Sequence, residues 1–185
     1  MEDHRVGKGE RLVQACRQAA FNLGAIWLYA WRVPSDRASL YHQVLAGYVE
    51  AGVAPHYLEI AKTLDWPADH ARAVLHEVVG VGLPVWLHPG TDLIASFAPF
   101  SSLPTLYRIS IDGAPHGYAQ CGLESLALSW LFPDREVRID SLCPDCGEPI
   151  SLVMSGGELL SISPDSVVTH TNVPVSKWRG QYPLA

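Results

Sequence analysis

The sequence predicts an α+β protein, with helices in its first half and a small mixed β-sheet plus a short helix in its second half. Apolar residues recur at helical spacing through much of residues 8–79. Short runs typical of strands, separated by turn signals such as Asp112-Gly113, follow from residue 85 onward. An apolar run over residues 125–132 ends at Pro133, which cannot continue a helix.

The first half is predicted to form a winged-helix-like domain over residues 1–100. A β-hairpin over Gly82–Phe97, with Pro89-Gly90 as its turn, follows the helices, and this order is typical of winged helices. Residues Ala98–Pro104 are the expected linker to the second half. The predicted helices are Lys8–Arg32, Ala38–Gly52, Pro55–Thr63 and Pro67–Val79.

The second half, residues 101–185, is predicted to be a small α+β domain that holds three of the four cysteines. Its short helix should follow Cys121 directly. The predicted strands are Leu106–Ile111, His116–Ala119, Glu136–Leu142, Pro149–Met154, Glu158–Ile162 and Ser166–Asn172.

Composition argues against nucleic-acid and membrane partners. The net charge is -6, the pI is near 5.7, and the predicted helix Pro67–Val79 carries one Arg, so phosphate contacts are not expected. No apolar run approaches the ~18 residues that a membrane span needs. Four cysteines without a signal-peptide pattern at Met1–Arg5 favour a reducing cytoplasm and thiol or metal chemistry.

Cys121 and Glu124 form the first candidate site. Cys121 precedes the predicted short helix, where free N–H groups and the helix dipole favour a thiolate. Glu124, three residues later, lies on the same side, so a nucleophile and a proton carrier could act together. The alternative is a buried cysteine followed by a carboxylate that caps the helix.

Cys143-Pro144-Asp145-Cys146-Gly147 is the second candidate site. Two thiols at this spacing, with a glycine at the turn, are typical of half a zinc ribbon. These 185 residues contain no second such pair. Further ligands would be Cys121, a histidine or a carboxylate, unless the pair binds a soft metal with fewer ligands. The alternative is a simple turn between two strands.

Cys16 and His170 are weaker candidates. Cys16 lies on the apolar stripe of the first predicted helix, so we expect a core residue. His170 is either a metal ligand or proton carrier, or an ordinary histidine on the surface of a strand.

Short motifs spread over roughly residues 40–175 keep a recognisable order and spacing. They are Thr63–Asp69, Ile111–Gly113, Tyr118–Glu124, Phe132-Pro133, Arg138–Cys143, Gly147–Leu152 and Pro164. Together they resemble the organomercurial lyase (alkylmercury lyase) family. The resemblance implies the fold of that family and cleavage of a carbon–mercury bond by protonolysis.

The resemblance also implies residue roles. Cys121 matches the family's first catalytic cysteine, Glu124 stands where the family usually has Asp, and Cys143 matches a mainly structural cysteine. The family's second catalytic cysteine should follow a strand near Val167–Val173, where this sequence has none. Cys146 is additional to the family pattern, and we predict that it takes the missing catalytic role.

The leading functional prediction is therefore an organomercurial lyase-like enzyme. Catalysis would use Cys121, Glu124 and Cys146, while Cys121, Cys143 and Cys146 would hold a thiophilic metal such as mercury, zinc or copper. The reaction requires no cofactor, and small organometallic compounds, metal ions and small thiols are the expected partners. A non-catalytic zinc or copper protein and a metal-sensing winged-helix regulator are the alternatives.

Overall fold

The computed structural model describes residues 35–80 and 84–168. The predicted first helix with Cys16, most of the last predicted strand with His170, and the C-terminal segment lie outside these ranges. Within them, three helices precede eight strands, and two four-residue helices lie between the fifth and sixth strands.

Three helices form the first part of the described chain. Helix α1 spans Asp36–Ala51, α2 spans Tyr57–Leu64 and α3 spans Ala68–Gly80. Ser35 caps α1 through its side chain, and His56 forms a capping box with Glu59 at the start of α2. The predicted helices agree with the structure to within about two residues at each end, and these caps account for the starts of α1 and α2.

A single antiparallel sheet follows the helices. Its order is β1-β2-β3-β5-β4-β6-β7-β8, and every neighbouring pair of strands is antiparallel. The strands are Val85–Leu87 (β1), Ile94–Phe97 (β2), Phe100–Ser101 (β3), Arg108–Ile111 (β4), Ala114–Ala119 (β5), Val137–Leu142 (β6), Pro149–Ser155 (β7) and Glu158–Ser163 (β8).

The α+β class is confirmed, but the prediction of a small mixed sheet is wrong. Tight turns join most consecutive strands, and such connections require antiparallel pairing. The expected linker Ala98–Pro104 contains the buried strand β3, which joins the hairpin β1–β2 to the rest of the sheet. The predicted domain boundary after residue 100 falls inside β3. The winged-helix assignment and the division into two domains stay predictions.

The core lies between α1, α3 and one face of the sheet. Tyr48 of α1 stacks on Phe100 with ring centroids 4.8 Å apart, and Tyr41 packs on Phe97 at 4.6 Å. All four side chains are buried. Burial, and then the negative charge of nearby Glu124, raise the pKa of Tyr41, so α1 also lies close to the segment that follows β5.

Candidate active site at the end of strand β5

Cys121 lies two residues after the end of strand β5, at the start of a short helix. Helix α4 spans Gly122–Ser125 and α5 spans Leu128–Leu131, so the predicted apolar helix is two separate turns. Cys121 is the N-cap of α4, and its Sγ accepts a hydrogen bond from the Glu124 N–H at 3.4 Å. This local geometry places the Glu124 side chain beside the sulfur, as the three-residue spacing predicts.

Hydrogen bonds of Gln120 fix the segment that carries Cys121. The Gln120 N–H donates to the Pro99 carbonyl at 2.9 Å. The Gln120 side-chain amide donates to the Pro84 carbonyl at 3.1 Å and to Ser96 Oγ at 2.5 Å. These bonds link the turn that carries Cys121 to β2 and to the residues next to β1 and β3, so the hairpin β1–β2 helps to position the site.

Glu124 is a buried carboxyl group. Its side chain is 3% exposed, and within the described residues its Oε2 has no hydrogen-bond partner. Burial raises the pKa of Glu124 to about 7, although the hydrogen bond from Cys121 lowers it in part. Near neutral pH a large fraction of this carboxyl group therefore keeps its proton.

The pKa of the Cys121 thiol is higher than expected for a cysteine at the start of a helix. Burial, and then the negative charge of Glu124, raise the pKa of the Cys121 thiol to about 12, against the opposing effect of the amides of Glu124 and Leu123. The expectation of a stabilised thiolate is therefore wrong for the free protein. Four residues of helix supply too little dipole to offset desolvation and a neighbouring carboxylate.

Tyr107 forms one wall of the site and was not identified from the sequence. A Cβ atom on Gly122 would lie 3.0 Å from the Tyr107 ring, so the ring packs directly against the start of α4. Burial, and then the charge of Cys121, raise the pKa of Tyr107. Tyr107 lies just before β4, far from Cys121 in sequence, and no motif marks it.

Cys143 and Cys146 lie in the turn between β6 and β7. Both thiols are free, and Cys146 is exposed. The backbone amides of Cys146 and Asp145 and the Cys146 thiol all lower the pKa of Cys143 by hydrogen bonding to its sulfur. Gly147 has φ 74°, the left-handed conformation that the sequence predicted for this turn.

The structure thus forms two pairs, Cys121 with Glu124 and Cys143 with Cys146. In residues 35–80 and 84–168, no three His, Cys, Asp or Glu side chains are grouped so that they could hold a metal ion. A common site formed by Cys121, Cys143 and Cys146 is therefore not assembled in this part of the chain. The catalytic and metal-binding roles of these residues stay predictions.

Comparison with known proteins identifies the relatives of this fold and site. The alkylmercury lyase family model matches residues 100–182, which include all the candidate residues of both pairs. Alkylmercury lyases of Bacillus cereus and Clostridium butyricum are each 27% identical over 143 residues, covering 71% of this chain and 55% of their own length. The second half of this chain is therefore similar to alkylmercury lyases.

A solved structure supports the shared fold. The mercury-bound form of MerB2 superimposes with a TM-score of 0.61 at 21% identity, covering 75% of this chain and 65% of that protein. The predicted family resemblance is confirmed, and the comparisons favour neither the zinc or copper protein nor the regulator. The chain spans about half the length of the curated relatives that it matches. In its described residues, each helix is too short or too polar to traverse a bilayer.

Proposed function

We propose that this protein cleaves the carbon–mercury bond of organomercury compounds by protonolysis, with Cys121 and Glu124 as catalytic residues. The observation that carries the proposal is the buried Glu124 carboxyl group beside Cys121 Sγ, with one oxygen unpaired within the described residues. The similarity of residues 100–182 to alkylmercury lyases supports mercury as the metal. Thiolate sulfur is also the ligand that soft metals prefer.

The first step binds the substrate. The Cys121 S–H bond breaks, a mercury–sulfur bond forms, and the displaced ligand of mercury leaves. The thiol proton passes to ionised Glu124, which already accepts a hydrogen bond from this thiol. Because mercury replaces the proton on sulfur, the high pKa of the free thiol does not prevent binding when this acceptor is adjacent.

The second step cleaves the carbon–mercury bond. The Glu124 O–H bond breaks and its proton goes to carbon, while the electron pair of the carbon–mercury bond becomes the new C–H bond. The hydrocarbon leaves, mercury(II) stays on Cys121, and Glu124 is again a carboxylate. A buried carboxyl group suits this step because few water molecules compete for its proton and its pKa of about 7 matches neutral conditions.

No cofactor is needed, because the thiol supplies the proton and no electrons are exchanged with a third group. A small thiol from solution can provide a second sulfur ligand to mercury and carry the ion away. Glu124 reaches one methylene further than the Asp usual in the family, so the proton donor is aligned differently. Misplacement by about 1 Å can cost ~100-fold in rate, so slow turnover of simple organomercurials is expected.

The test is release of benzene from a phenylmercury salt in the presence of excess small thiol, followed by gas chromatography. Wild-type protein should produce benzene above the thiol-only control, and Cys121→Ser should not. Glu124→Gln should still bind mercury but release benzene at least ~100-fold more slowly, because the proton donor is lost. Glu50→Gln, which changes an exposed carboxylate on α1, is the matched control. Wild-type protein without activity would overturn the proposal.

A further inference from the structure

The turn between β6 and β7 is built as a rigid loop around two sulfur atoms. Leu142 pairs with Pro149 at the end of the two strands, and the Cys143 N–H donates to the Glu148 carbonyl at 2.8 Å. The Gly147 N–H donates back to the Cys143 carbonyl at 2.9 Å. These two backbone hydrogen bonds close the loop that carries both cysteines.

The two sulfur atoms face each other within this loop. The Cys143 sulfur accepts hydrogen bonds from the amides of Asp145 and Cys146 and from the Cys146 thiol. Cys146 is exposed and neither thiol is in a disulfide. The loop therefore presents two accessible sulfur atoms that could bind the same metal ion.

The register of the sheet places this loop at the same end as Cys121. Tyr118 of β5 and Asp140 of β6 both pair with Arg108 of β4, so the three residues form one row across the sheet. Cys121 and Cys143 each come three residues after their member of that row. Two strand spacings separate β5 from β6, which puts their paths about 10 Å apart.

We propose that Cys143 and Cys146 chelate the inorganic mercury(II) ion that the Cys121 site releases. This inference rests on the proposed function, because that reaction supplies the ion. Two thiolates satisfy mercury(II), whereas structural zinc takes four ligands. No third His, Cys, Asp or Glu is grouped with the pair in the described residues. The number of ligands therefore favours mercury over zinc in this loop.

The transfer is a ligand exchange without any redox change. Bonds form from mercury to the sulfurs of Cys143 and Cys146, and both thiols lose their protons. The bond from mercury to Cys121 breaks, as does the bond to any small thiolate that it carries. One proton returns to Cys121 and the other goes to the small thiolate or to solvent. The catalytic thiol is then free for the next substrate.

The test measures mercury retained by protein after exposure to one equivalent of mercuric chloride, followed by buffer exchange against millimolar monothiol. Native mass spectrometry then counts the ions bound. Wild-type protein should keep one mercury ion, because a chelating pair resists a monothiol that strips single cysteines. Cys143→Ser and Cys146→Ser should each retain at least tenfold less mercury than the wild-type protein. Cys16→Ser is the matched single-cysteine control. Cys16→Ser and Cys121→Ser should each retain one mercury ion.

Each other outcome has a definite meaning. Equal retention by wild-type protein, Cys143→Ser and Cys146→Ser would overturn the chelate, as would a wild-type protein that retains no mercury. Loss of retention in Cys121→Ser would show a shared site and would also overturn it. Failure of the wild-type protein to form benzene in the separate phenylmercury assay would overturn the proposed function. It would also overturn the role of Cys143 and Cys146 in accepting mercury(II) from Cys121. Benzene release without retained mercury would overturn the chelate alone.

Discussion

The buried carboxyl group of Glu124 should make the stability of this protein fall as pH rises through the neutral range. Glu124 is 3% exposed, and its pKa is raised from 4.5 to about 7. Below pH 4.5 the group is protonated in both the folded and the unfolded chain, so it contributes no pH dependence. Between pH 4.5 and 7 the unfolded chain releases the proton while the folded protein keeps it, which favours unfolding.

The expected magnitude follows from the size of the shift. A shift of about 2.5 pKa units corresponds to about 3 kcal/mol at 1.36 kcal/mol per unit. Glu124→Gln removes this titration and keeps a side chain of nearly the same shape. The free energy of unfolding of Glu124→Gln, relative to wild-type protein, should therefore rise by about 3 kcal/mol from pH 4.5 to pH 8 and level off above pH 7.

Urea unfolding of wild-type protein and Glu124→Gln at pH 4.5, 6, 7 and 8 measures this difference directly. Glu50→Gln, which changes an exposed carboxylate on α1, controls for the loss of one negative charge. A difference between wild-type protein and Glu124→Gln that stays constant across this range would refute the assignment of Glu124 as a protonated buried acid. It would also remove the physical basis for Glu124 as the proton donor near pH 7.

Two glycine substitutions test the packing that positions the site. Gly52→Ala should lower the free energy of unfolding by several kcal/mol, because its Cβ would clash with the His116 carbonyl oxygen. Gly90 has the same φ of 72°, but a Cβ there would meet open space, so Gly90→Ala should lower the free energy of unfolding by only about 1 kcal/mol. Similar losses of stability from Gly52→Ala and Gly90→Ala would refute the clash at Gly52. Gly122→Ala should slow benzene release about tenfold with a stability change below about 1 kcal/mol, because its Cβ would lie 3.0 Å from the Tyr107 ring. Unchanged activity would contradict a role for this contact in placing Cys121.

Local signals in the sequence determined the elements and their ends. The start of α1 follows from Ser35, because a serine there satisfies free N–H groups of the first turn. The turns at Asp112-Gly113 and Gly147 follow from residues that tolerate positive φ. The pairing of Cys121 with Glu124 follows from a three-residue spacing at a helix start. In each case the interaction spans only a few residues, so the sequence alone contains it.

Tertiary structure decided the order of the strands and the chemical state of the site. Whether Glu124 keeps its proton depends on how deeply packing buries it, and that depth is set by residues far away in the sequence. Tyr107 reaches Gly122 only because β4 pairs with β5. The separation of Cys121 from Cys143 likewise depends on β4 lying between their strands. Solvation and long-range pairing are properties of the assembled fold, and so the pKa of Glu124 and the division of the thiols into two pairs could not be predicted from spacing.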